Sequence, residues 1–152
     1  MSAAADGNIF PEQRHWRLRV RAGQVAVVAG ELLAVNQAIG GISGATEAEL
    51  VTPLVLVNQL TGPMVIALES GSAGQYITVC ARGVCMAKVA NVDGGTYPIH
   101  PYAPLFFLDG DVANRRLSST TPGTLRAWGK TLAVCNSANA LTRIIFIGDS
   151  LS

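Results

Sequence analysis

Apolar and polar residues alternate most regularly at Arg14–Arg21, RHWRLRVR. Trp16, Leu18 and Val20 share one side of an extended chain, and Arg17, Arg19 and Arg21 share the other. The pattern predicts a strand with one buried face and one arginine face. A second alternation, Gln75–Cys80, sets Ile77 and Val79 opposite Tyr76, Thr78 and Cys80. It follows a short apolar run, Met64–Glu69, and a small Gly-rich segment, Ser70–Gly74, where positive φ costs little. The whole stretch Pro63–Val89 reads as two or three short strands separated by turns, with Arg82-Gly83 as one such turn. Further strands are expected on either side of Gly30 within Gly23–Val35, and at Thr52–Leu60, Leu105–Leu108 and Leu125–Val134. Thr142–Ile147 reads as a final buried strand. Asn91–Pro104 reads as a long loop, and Thr46-x-x-Glu49 as a capping box for one short helical turn.

A faint internal echo supports this organisation. Ala67-Leu68, a small polar loop and Ile77-Thr78-Val79 resemble Ala133-Val134, the loop from Asn136 and Ile144-Ile145-Phe146. The expected fold is all-β, a compact β barrel or sandwich of short antiparallel strands. Residues 14–152 form the single domain. Residues 1–13, small, polar and without periodicity, precede it as an extended arm with Ile9 and Phe10 as apolar anchors, or as a frayed terminus.

Composition changes this picture by pointing to a partner. Apolar residues make up 49% of the chain and charged residues only 14%, so the surface is poor in charge and is expected to be covered in part by a partner or by copies of itself. A net charge of +1 gives no basic excess for nucleic acid. Four of the 11 Lys and Arg residues lie in the Arg14–Arg21 strand. Its arginines either guard a sheet edge or meet an acidic protein surface, since Trp16, the aromatic that would stack on bases, lies on the opposite side. No apolar run reaches the length of a membrane span, and the opening residues have no secretory pattern, so a cytoplasmic protein with no membrane partner is expected. Three cysteines do not make a disulfide framework, and Cys80, Cys85 and Cys135 read as small buried thiols.

Catalytic and metal-binding patterns are incomplete. Ile144–Ser152, IIFIGDSLS, resembles the opening block of the GDSL hydrolases, in which a strand delivers a nucleophilic serine. That family carries the block near its N-terminus and needs an Asp-x-x-His later in the chain. Here the positions three before the two histidines, His15 and His100, hold Glu12 and Tyr97, so Ser150 lacks a base. Cys80-x4-Cys85 has only Cys135 and scattered histidines to complete a zinc site, and Asp109-x-Asp111 is followed by Arg115 and Arg116 where calcium needs oxygens. A salt-bridged turn is the expected use of Asp111. Gly40-Gly41-x-x-Gly44 lacks the lysine of a phosphate loop. The chain is expected to be no enzyme and to hold no cofactor or metal.

A wider resemblance runs from Leu56 to the end. Ala67–Gly74 (Ala-Leu-Glu, then Ser-Gly-x-Ala-Gly), Arg82–Val84, a strand ending in Leu-Asp at Leu105–Asp109, Leu117–Gly123 and an Ala-rich closing hairpin are together similar in order and spacing to the capsid decoration proteins of tailed bacteriophages. The N-terminal third and residues 36–50 depart from that pattern. The resemblance implies a non-enzymatic β domain on the outer surface of the expanded virion capsid, made in the host cytoplasm, usually trimeric, that clamps adjacent major capsid subunits. Ile9, Phe10, Trp16, Arg17, Arg19 and Arg21 are the candidate partner-binding residues. A tail- or fibre-associated β module is the alternative, and a small esterase using Ser150 is the alternative of another class.

Overall fold

A single strand, Tyr76–Ala90, belongs to both halves of the molecule and joins them. The computed structural model describes residues 12–20, 26–36, 49–51, 64–92, 95–108, 111, 114–120 and 127–148. Their strands are β1 Arg14–Val20, β2 Leu32–Asn36, β3 Glu49–Val51, β4 Met64–Ala67, β5 Tyr76–Ala90, β6 Pro104–Leu105, β7 Leu117–Ser118, β8 Gly129–Thr131 and β9 Ala140–Phe146. No α-helix occurs among the described residues, and the fold is all-β.

The pairings β1–β3, β3–β2, β2–β4, β4–β5 and β5–β1 return to their starting strand, so the first five strands close a small barrel. Its interior takes alternate residues from four of them: Leu18 and Val20 of β1, Leu33 and Val35 of β2, Val65 and Ala67 of β4, and Ile77, Val79 and Ala81 of β5. The alternation in β1 and early β5 is the sequence trace of this core. Beyond the barrel, the second half of β5 pairs with β9, β9 with β8 and β8 with β6, while β7 runs parallel to the end of β5.

A second core lies between the two. Leu32, Met64, Ile66 and Cys80 leave the barrel's outer side and pack with Cys85, Ala87, Val89, Leu105, Leu117, Ile144 and Phe146. Phe107 and Trp128 meet at its margin, ring centroids 5.5 Å apart. Strand β4 and the start of β2 are thus buried on both faces, which is why Met64–Ala67 and Leu32-Leu33 are unbroken apolar runs. Each large side chain so buried contributes about 1.5–3 kcal/mol.

The main departure from expectation is at Arg82-Gly83, where β5 runs straight through instead of turning. Arg14 pairs with Arg82 and His15 with Cys80, which leaves Ala81 as the extra residue of a bulge. Gly83, at φ +119°, takes up the bend. The glycine signal was real, but a bulge needs it as much as a turn does. Any Cβ at Gly83 would also collide with the side chain of Gln13. That side chain acts as a stand-in for backbone: its Nε2 donates to the Val84 carbonyl at 2.8 Å and its Oε1 accepts from Val84 N–H at 2.9 Å. Gln13, placed with the arm on sequence grounds, is therefore docked on β5.

Other boundaries also moved. Glu49 opens strand β3, whereas the capping box would have placed it in a helical turn whose Thr46 lies outside the described residues. The expected strand Thr52–Leu60 lies outside them too, as does the arm through residue 11. Two pairings, β1–β3 and β5–β7, are parallel. The first unit of the internal echo corresponds to the antiparallel pair β4–β5, whereas in the second Ala133-Val134 lie beyond the end of β8 and only Ile144–Phe146 falls in a strand, β9.

Candidate partner-binding face

On β1 the structure places Arg17 and Arg19 on one face, as predicted, and both are engaged within the chain. Arg17 Nη1 donates to Glu69 Oε2 and to Thr78 Oγ1, both at 3.1 Å. Glu69 sits just after β4 and Thr78 on β5, so the pair spans two neighbours of the barrel wall. Glu69 also accepts from Thr78 N–H at 3.1 Å. The hydrogen bonds from Thr78 and then the Arg17 guanidinium hold its carboxyl below the ordinary range. Arg19, half-buried and paired in register with Tyr76, also has an interaction partner in the fold. Arg14 lies 3.6 Å from Glu12 in an exposed pair.

Trp16 shares the side of Leu18 and Val20, as expected, but it is 37% exposed and forms the rim of the barrel interior. Arg21, Ile9 and Phe10 lie outside the described residues. Of the six candidate residues, the structure brings Trp16, Arg17 and Arg19 onto one strand.

Buried charge is found elsewhere. Glu31, with its side chain 8% exposed, receives Arg115 Nη1 at 3.1 Å and Val28 N–H at 2.8 Å, and Lys88 Nζ lies 3.7 Å away. These groups come from the chain entering β2, from β5 and from the segment before β7, so the cluster ties the barrel to the second sheet. Arg115 holds a left-handed backbone, φ +52°, that keeps its carbonyl on Leu32 N–H at 2.9 Å. Next to it, Asp111 is gripped by Arg116 through Nε at 2.8 Å and Nη2 at 3.0 Å, with Asn114 at 2.6 Å. Asp111 therefore serves a salt-bridged loop, as its arginine-rich sequel suggested; Asp109 lies outside the described residues.

The thiols are free and buried. Cys80 and Cys85 occupy one strand, not facing strands, and the bulge between them turns both toward the second core. The hydrogen bond that Cys85 makes with Cys80, followed by burial, pushes the Cys85 thiol up. Cys135 donates to the Ser137 carbonyl at 3.3 Å. No group of three or more His, Cys, Asp or Glu positioned for a metal occurs among the described residues. His15 is exposed and lies 2.8 Å from Gln13 Nε2; His100 is exposed on a loop. Ser150 and the Gly40–Gly44 segment lie outside the described residues. No helix among the described residues is long and apolar enough to cross a membrane.

This architecture has a solved counterpart. The N base of head fibre gp8.5 in bacteriophage phi29 matches 91% of this chain and 98% of its own, with a TM-score of 0.53 and 13% sequence identity. The likeness is one of fold. No protein-family model and no curated protein sequence matches the chain.

Proposed function

We propose that this chain is a non-enzymatic structural component of a tailed-phage virion that binds the outside of the expanded capsid and clamps adjacent major capsid subunits. The observation that carries the reading is the shared fold with a phage head-fibre base along nearly the whole of both chains. Two independent features support it. The chain invests only 14% of its residues in charge, and the surface it leaves is suited to being covered. Its order of sequence pieces from Leu56 onward resembles the decoration proteins, which implies self-association, with a trimer favoured.

A second reading, a fibre-associated module whose base sits on a virion, is favoured by the name of the structural counterpart. In both readings the barrel and its second sheet form a docking body. They differ in whether that body bridges subunits of the shell or carries a projecting structure.

Co-sedimentation of the purified protein with expanded and unexpanded DNA-free heads of the phage that encodes it, across a salt series, tests the proposal. Saturable binding to expanded heads alone is expected. Binding to neither form rejects shell clamping.

A further inference from the structure

We infer that the outward face of the second sheet, β6–β8–β9–β5, is the surface with which this chain meets its partner, a protein surface that presents carboxylates around an apolar patch. The inference rests on the reading above in taking that partner to be the capsid shell.

Register fixes which side chains share this face. Residues paired across a sheet point the same way, so Pro104, Lys130, Ile145 and Val84 form one row. Arg143 and Met86 form the next, with Leu132 brought alongside by its N–H bond to the Arg143 carbonyl at 2.8 Å. Leu141 and Lys88 form the third. The opposite face, with Cys85, Ala87, Thr142, Ile144 and Thr131, is buried.

Six of the nine residues in these rows are apolar, three are basic and none is acidic. Met86 and Leu141 remain 47% and 51% exposed, so the monomer leaves apolar area uncovered where a sheet face is normally polar. Lys88 is neutralised by Glu31. Lys130 and Arg143 have no ion-pair partner among the described residues. Two cations with no counter-charge among the described residues, set among exposed aliphatic side chains, are the complement of an acidic, apolar protein surface, and a guanidinium fork suits a carboxylate. The rows hold no aromatic ring on which a base could stack, which disfavours single-stranded nucleic acid.

Two variants separate the components: Lys130→Glu with Arg143→Glu removes the charge complementarity, and Met86→Asn removes apolar contact without adding a charge beside Arg143, its partner in register. All three positions are on the surface, and unchanged thermal melting verifies folding. Binding to expanded heads is expected to fall at least tenfold in each, and only the charge variant should flatten the salt dependence. Wild-type binding with both variants bound equally well overturns the assignment and leaves the capsid reading intact. A wild-type chain that ignores expanded heads overturns both. Retention on anionic vesicles or DNA in place of heads, lost in the charge variant, replaces a protein partner with another anion and overturns the assignment.

Discussion

Two exposed sheet faces of this molecule carry arginine, and they use it differently. On the barrel wall, Arg17 is met by Glu69 and Thr78 from neighbouring segments, so the stripe that dominates the sequence is neutralised in part by the fold itself. On the second sheet, Arg143 and Lys130 stand among Met86, Leu141 and Ile145 without a carboxylate in their rows. A run of cations in a sequence therefore does not locate a binding surface. What counts is charge left unmatched after folding, together with apolar area left uncovered.

The comparison depends on Lys88, the one cation of the second-sheet face that the fold does neutralise. Replacing Glu31 with Gln leaves Lys88 and Arg115 facing each other around a buried site without their counter-charge. A loss of about 3 kcal/mol is expected in urea unfolding, because removing one partner of a buried ion cluster strands the others. A loss no larger than that of a surface substitution would show that the cluster does not join barrel and sheet.

The barrel-wall pair is expected to matter much less. A double-mutant cycle on Arg17→Gln and Glu69→Gln should give a small coupling that shrinks further as salt is added, since both groups are largely exposed. Because the Glu69 carboxyl is held below its ordinary range, its contribution is complete above that range and disappears as the pH falls through the folded-state value. Coupling that persists in acid or at high salt would contradict this.

Much of the fold was legible in the sequence, for physical reasons that can be named. Strand β1 showed in the alternation of Trp16, Leu18 and Val20 because one of its faces lines the barrel. Strand β4 showed as a continuous apolar run because both of its faces are buried. The continuity of β5 was hidden, since a glycine at positive φ serves a bulge and a turn alike, and only the docking of Gln13 on Val84 reveals which. The pairing of Arg17 with Glu69 was hidden by a sequence separation of 52 residues. The second-sheet face was missed although a signal was present. Thr142–Ile147 reads as a buried strand by composition, yet Arg143 near its start marks a face turned to solvent.

The most direct measurement is a cryo-electron microscopy map of expanded heads saturated with the protein, resolved well enough to place the two sheets. The outward face of β5, β6, β8 and β9 is predicted to lie against the shell, with Arg143 and Lys130 beside capsid carboxylates and the Arg17–Glu69 wall turned away. A map in which the Arg17 wall contacts the shell and Met86 and Leu141 face solvent would contradict it.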